Sequence, residues 1–253
     1  MLTTSNMTGK AALITGAAAG LGRATALRLA RAGAAVCLVD INKDGLEAAA
    51  GEARALGVTA LVQALDIGVT ENCRLAVAAA VKAFGRLDAL CNVAGVFIPA
   101  HAHEMPMEDF AKTLAVNLAA PFAFIQAAIP HLLATNGAVV NVTSCAAHKA
   151  QAYSAAYCAT KAGLSHMTKA LAMEYTHKPI RFNAVAPGGM MTALAANLRN
   201  LRDPDVSLLK RVAPARGLVE IEDVAEMVAF LASDAARGYH GACISVDNGI
   251  TAD

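Results

Sequence analysis

The sequence predicts an α/β fold: a doubly wound, mostly parallel sheet of seven strands with helices on both faces. Two observations carry this expectation. Short runs rich in Val, Leu and Ile recur along the chain, and each is apolar through nearly its whole length. Between most of them lie stretches of a dozen or more residues with helical spacing, such as "GRATALRLARAG" and "VTENCRLAVAAAVKAF". Strands without polar alternation are buried on both faces, which calls for a parallel sheet covered by helices. The alternation runs to the end of the chain without a long polar linker or an internal repeat, so residues 1–253 are read as one domain.

The expected strands are "AALIT" (11–15), "AVCLVD" (35–40), "ALVQALD" (60–66), "LDALCNV" (87–93), "AVVNVTS" (138–144), "IRFNAVA" (180–186) and "CISVD" (243–247). One segment breaks the rhythm: about 30 residues at 188–217 carry no strand signal. Connections in compact folds are usually far shorter, so the segment is a candidate substrate lid. Met190, Met191, Leu194, Leu198 and Leu201 give it an apolar face, which favours a lid over a disordered surface loop.

Composition narrows the function classes. Hydrophobic residues make up 56% of the chain and charged residues 16%, as in a compact globular protein. The formal net charge is +1 and the charges are dispersed, so no basic stripe suggests a nucleic-acid partner. The start, "MLTTSNMTGK", has no apolar signal core, and a cytoplasmic location is expected. The most apolar stretch, 114–130, is interrupted by Asn117, Pro121 and Gln126 and reads as a buried or interfacial helix rather than a membrane span. The six cysteines are scattered without a C-x-x-C pair and read as free core thiols.

Chemistry collects at two places. Of the four tyrosines, only Tyr157 is followed four residues later by a lysine, Lys161. On a helix these positions share one face, so phenol and ammonium can share one pocket. The ammonium would favour phenolate and lower the tyrosine's pKa into the range useful for acid–base work. The second place is "TGAAAGLGRATA" (15–26), between the first strand and the first helix. Gly16, Gly20 and Gly22 permit a tight turn, and the helix N-terminus that follows favours a pyrophosphate. The spacing is G-x-x-x-G-x-G rather than the usual G-x-G-x-x-G, so the loop gains its weight from its position. The second strand ends at Asp40, 18 residues after Gly22. A carboxylate there accepts bonds from ribose hydroxyls and repels a 2′-phosphate, and no arginine follows it, so NAD is favoured over NADP. A helix-capping role for Asp40 is compatible with this.

"TGAAAGLG", "NVAG" (92–95), the serine of "NVTS" (141–144), "YCATK" (157–161) and "PGGMMT" (187–192) occur in the order seen in short-chain dehydrogenases/reductases, which the chain resembles over essentially its whole length. The resemblance implies a Rossmann-like fold and the following roles. Tyr157 would exchange a proton with the substrate oxygen. Lys161 would lower the tyrosine's pKa and hold the nicotinamide ribose. Ser144 would hydrogen-bond the carbonyl or alcohol oxygen, and Asn117 would anchor a water in a proton relay through Lys161. Asn117 as support for a structural bend remains the alternative. Gly16, Gly20, Leu21 and Gly22 would hold the pyrophosphate end, and Asp66 and Ile67 would meet the adenine. Asn92, Ala94 and Gly95 would line the cofactor, and Pro187, Gly188, Met190 and Thr192 would face the nicotinamide. Where the family often has two adjacent asparagines this chain has Asn92 and Val93, for which altered local packing is expected.

The implied activity is NAD-dependent interconversion of a secondary alcohol and a ketone. Pocket walls are expected from 96–100, the 145–153 loop and the lid. Phe97, Ile98, Met190, Met191 and Leu194 would make that pocket apolar, suited to a hydrophobic or cyclic substrate such as a hydroxysteroid. The alternative is a 3-oxoacyl-thioester reductase, and a more remote one is a nucleotide-binding scaffold without turnover. "HAHE" (101–104) reads as a polar loop and not a metal site, because no other cluster supplies further ligands. Cys145 and Cys158 are expected to point away from the site as small core residues. Tyr153, one turn before Tyr157, either lines the pocket or packs in a core or interface. The family commonly forms tetramers, and the helices around 114–129 and 155–175 are apolar enough to pack against symmetry mates.

Overall fold

The computed structural model describes residues 5–214 and 216–252. Met1–Thr4, at the start of the segment read as lacking a leader, Ala215, within the expected lid, and Asp253 lie outside the described residues.

All seven expected strands form: β1 (Ala11–Thr15), β2 (Ala35–Asp40), β3 (Ala60–Ala64), β4 (Ala89–Asn92), β5 (Ala138–Val142), β6 (Arg181–Pro187) and β7 (Cys243–Val246). They build one sheet in the order β3-β2-β1-β4-β5-β6-β7. The sheet was expected to be mostly parallel, and every pairing in it is parallel. The order reverses between β1 and β4, which opens a crevice at the carboxyl ends of those strands.

Side-chain alternation explains why the strands are apolar throughout. Leu13, Cys37, Val39, Leu90, Val139 and Phe182 point to one face. Ile14, Val36, Leu38, Cys91, Val140 and Val185 point to the other. Both faces are covered, so neither set can be polar. On the second face lie α1 (Gly20–Arg31), α2 (Lys43–Ala55) and α9 (Ile221–Ala232). The first is covered by α3 (Thr70–Phe84), α5 (Ala120–Thr135) and α6 (Ala155–Glu174). The cap of α2 is Asn42, whose side chain accepts from Gly45 N at 3.1 Å, so Asp40 is not the helix cap.

A short α4 (Met107–Leu114) runs through one π turn, Ala115–Ala119, into α5. By length and composition, Met107–Thr135 could cross a membrane. Here Phe124, Ile125, Ala128 and Leu132 are instead fully buried against the sheet. The 188–217 segment forms α7 (Ala193–Ala196), a 3-10 turn at Asn197–Asn200 and α8 (Val206–Lys210).

Candidate active site

The carboxyl ends of the strands open into a cleft of about 600 Å³, in the range of small-molecule and cofactor sites. Its wall includes Gly16, Gly20, Leu21, Gly22, Asp40, Asp66, Ile67, Ala94, Gly95, Ser144, Tyr157, Lys161, Pro187, Gly188, Met190 and Thr192. Residues spread over much of the sequence thus converge because each follows the carboxyl end of a strand or lies on the helix beyond it.

The glycine loop is shaped by contacts that leave no room for a side chain. Gly16 has φ of +71°, and a Cβ there would lie 2.9 Å from Ala94 Cα. The loop after β4 is held against it by Thr15 Oγ1, which accepts from Val93 N and Ala94 N at 3.0 Å each. A Cβ on Gly22 would meet the Gly16 carbonyl oxygen at 2.0 Å. The first turn of α1 therefore packs on the loop itself, and its N–H groups open toward the cleft. Gly22→Ala is expected to lower stability by roughly 1–3 kcal/mol through overpacking and to weaken NADH binding. Thermal unfolding with and without NADH measures both effects.

At the end of β2, Asp40 Oδ2 accepts from Ala18 N at 3.3 Å and Oδ1 from Asn42 N at 3.0 Å. These bonds fix the carboxylate beside the glycine loop. Ile41, next to it, is 73% exposed and also lines the cleft, so apolar surface adjoins the carboxylate. Arg23 is ion-paired to Glu52. Acid and apolar surface at this spot fit a ribose with free hydroxyls, and Arg23 is already engaged.

Tyr157 and Lys161 lie one turn apart on α6, as their spacing implies, with Lys161 Nζ 5.7 Å from the centre of the phenol ring. The expected electrostatics do not follow. Burial pushes the Tyr157 phenol up to about 12, and a hydrogen bond with Ser144 only partly opposes it. Burial also pulls the Lys161 ammonium down to about 8. Nζ donates to the Val142 carbonyl at 2.9 Å and lies over the ring face rather than at the hydroxyl. Proximity was legible from the spacing, but the cost of desolvating both groups was not. Phe97 adds to that burial with an edge contact on the Tyr157 ring, centroids 5.0 Å apart.

Two expected residues stand outside the wall. Asn92 is buried beneath it, where Nδ2 donates to Asn141 Oδ1 at 2.9 Å and Asn141 in turn donates to Thr168. Its side chain ties β4 to β5 and, through Asn141, to α6. Asn117 is fully buried in the π turn. Its Oδ1 accepts from Val96 N at 2.8 Å, and its Nδ2 donates to Val96 O and to Thr160 Oγ1. The side chain clamps the loop that carries Gly95 and Val96. A Cβ on Gly95 would lie 3.3 Å from Asn117 Oδ1 and 3.5 Å from Lys161 Nζ, so the glycine leaves space where the two side chains meet.

Other expectations need correction. Tyr153 precedes α6, with φ of +62°, and its hydroxyl accepts from Asp205 N at 2.8 Å instead of facing Tyr157. Cys145 does not point away: it lines the cleft beside Ser144. Met191 is 78% exposed, and neither it nor Ile98 lines the wall. Among the described residues no group of three or more His, Cys, Asp or Glu is placed to hold a metal. His101, from the polar loop, bonds the Arg202 carbonyl at 3.0 Å. Sequence reasoning missed Ile41, Lys112 and Val142 as lining residues, whereas Gln151 falls in the 145–153 loop expected to form the wall. Ile41 sits one position past the Asp40 signal, while Lys112 and Val142 carry none.

Over residues 16–251 the chain matches the family model for enoyl-(acyl carrier protein) reductase. It is 40% identical over 249 residues to a 2,5-dichloro-2,5-cyclohexadiene-1,4-diol dehydrogenase of Sphingobium indicum, with 97% of each chain covered. The chain is a short-chain dehydrogenase/reductase. This short-chain dehydrogenase/reductase is also 35% identical over 244 residues to the 3-oxoacyl-(acyl-carrier-protein) reductase of Thermotoga maritima, covering 96% of this chain and 98% of that one. Its fold matches that of carveol dehydrogenase from Mycobacterium avium in complex with NAD with a TM-score of 0.90, at 28% identity and covering 99% and 100% of the two chains.

Proposed function

We propose that the protein is an NAD-dependent dehydrogenase that interconverts a secondary alcohol and a ketone on a hydrophobic or cyclic substrate. The observation that carries this reading is one cleft with Asp40 and the glycine loop in its wall together with the Ser144–Tyr157–Lys161 group. The nicotinamide, when bound, supplies the hydride chemistry; the protein supplies orientation and proton transfer. Gly16, Gly20, Leu21 and Gly22 hold the pyrophosphate end, and Asp40 accepts the adenosine ribose hydroxyls. Asp66 and Ile67 flank the adenine, while Ala94, Gly95, Pro187, Gly188, Met190 and Thr192 enclose the remainder. Ser144 and Tyr157 bind one substrate oxygen, and Tyr157 holds or releases its proton. Lys161 supplies positive charge beneath the ring, and Asn117 acts by fixing the loop at Val96.

Supporting the substrate class, Val96, Phe97, Cys145, Met190 and Leu194 form a largely apolar wall. The Sphingobium relative is named for a cyclic diol, and the matched Mycobacterium structure is a carveol dehydrogenase. The thioester alternative has its own support in the Thermotoga reductase, at lower identity. One assay separates them: reduced-nicotinamide formation from NAD⁺ and then NADP⁺ across cycloalkanols, hydroxysteroids, simple secondary alcohols and 3-hydroxyacyl thioesters. Turnover with NAD⁺ and a cyclic alcohol is expected. Turnover mainly with NADP⁺ and a thioester would replace this reading with the alternative.

The proposal treats 1–253 as one catalytic unit, with 188–217 as the lid. Three bonds support that role: Asn197 to Phe97 O, Asp205 N to the Tyr153 hydroxyl, and His101 to Arg202 O. Each spans from the segment to a loop beside the cleft. We also take the protein to be a cytoplasmic homo-oligomer, a tetramer in the family's common form, with a small-molecule substrate and neither nucleic-acid nor membrane partners. Exposed Phe122 on α5 and Met173 on α6 give those helices outer apolar surface suited to subunit contact.

A further inference from the structure

We infer that Gln151 is a specificity-determining residue that binds a second oxygen on the substrate ring, so that the enzyme favours cyclic diols or hydroxyketones over simple cyclic alcohols. This rests on the alcohol dehydrogenase reading above and adds the substrate's second functional group. Ser144 and Tyr157 are both committed to the reacting oxygen. Beside them Phe97 packs on Tyr157, and the Thr143 hydroxyl donates to Val185 O at 3.0 Å. Gln151 lines the same cleft, and its amide Nε2 donates to the Cys145 sulfur at 3.4 Å. Sulfur is a weak acceptor, so an amide bonded to it alone keeps most of its capacity, the carbonyl Oε1 above all.

Position completes the argument. Cys145 Sγ also receives the Ser144 hydroxyl at 3.9 Å. The Gln151 amide and the Ser144 oxygen therefore lie within those two contacts laid end to end. Within that bound a six-membered ring with oxygens on opposite carbons can offer one oxygen to each group. The loop that presents Gln151 is pinned two residues further on, at Tyr153, whose carbonyl accepts from Ala100 N at 3.0 Å and whose hydroxyl accepts from Asp205 N at 2.8 Å. Tyr153 itself is held at φ +62°, a left-handed conformation that persists only where its surroundings fix it. An amide on a fixed loop selects by distance, because it pays little entropy to bind.

The test compares kcat/KM with NAD⁺ for cyclohexane-1,4-diol and cyclohexanol in the wild type, Gln151→Leu and Gln151→Ala. The wild type is expected to prefer the diol. Gln151→Leu should lower kcat/KM for the diol about tenfold while cyclohexanol stays within about twofold, the scale of one lost hydrogen bond. Gln151→Ala should show the same selective loss, which separates the missing amide from crowding by leucine. An unchanged diol-to-alcohol ratio, or equal losses on both substrates, overturns the assignment while leaving the dehydrogenase reading intact. No wild-type turnover of either alcohol also overturns the assignment, and turnover of a hydroxysteroid or simple secondary alcohol with NAD⁺ then keeps the dehydrogenase reading.

Discussion

Tyr157→Phe is expected to lower turnover by about 10²–10⁴, the scale of a lost general acid–base, while NADH still binds. The substitution removes one oxygen and keeps the ring, so the edge contact with Phe97 and the position over Lys161 survive. What it deletes is the group that, in the proposed reaction, shares the substrate oxygen with Ser144 and takes up its proton. Steady-state turnover of a cyclic alcohol and NADH fluorescence titration, on one preparation, separate the two effects. A variant retaining more than about a tenth of wild-type activity would refute the proton-transfer role, since even a modest general-acid contribution exceeds that. Loss of NADH binding alongside turnover would instead place Tyr157 chiefly in cofactor binding.

The fold was legible because burial on both faces leaves so little choice of residue. β1 and β2 match the expected runs residue for residue, while β3 and β5 stop two residues early. The trailing residues, Leu65–Asp66 and Thr143–Ser144, leave the ladder at the carboxyl edge, and all four line the cleft. A polarity pattern cannot distinguish a strand's last residue from the first residue of the site it carries. Helical spacing misled at Tyr153 for a related reason. It lies four residues before Tyr157, but the helix begins at Ala155 and the chain turns left-handed at Tyr153. Periodicity holds only inside an element, and the boundary in "QAYSAAY" is Ser154, the residue at the N-cap of α6. The 145–153 loop was legible as a pocket wall, but that Cys145 and Gln151 in particular line the cleft was not, because loop side chains have no period to fix their direction. Asn117 shows the converse. Its type signalled a buried amide needing partners, and only the π turn showed that the partners are Val96 N and O and Thr160.

Replacing Lys161 by methionine is expected to abolish most turnover and to change how stability depends on pH. The catalytic part follows from the Tyr157 phenol, which burial holds near 12. In the proposed reaction that group accepts a proton, and Lys161, with Nζ 5.7 Å from the ring centre, is the cation placed beside it. With the ammonium gone, turnover at neutral pH should fall by about a hundredfold or more, and the alkaline inflection of any residual activity should move upward. The stability part has the opposite sign from a salt-bridged lysine. Lys161 falls from 10.5 to about 8 on folding because burial disfavours its charged form. Between those values the unfolded chain binds more protons than the folded one, so wild-type stability rises with pH across that window. The penalty for the buried charge is fully present below about pH 8 and gone above about 10.5. Tyr157, raised from 10 to about 12, works the other way, and its contribution is lost as pH climbs from 10 toward 12. Urea unfolding of unliganded wild type and Lys161→Met at pH 7 and pH 10 isolates the lysine, because Tyr157 is common to both. The wild type should gain stability relative to the variant on going to pH 10. A difference that does not change with pH would mean that Lys161 keeps its ordinary affinity for a proton in the fold. The ammonium would then be better solvated than its bond to Val142 implies, and its charge would be available to Tyr157 over the whole neutral range.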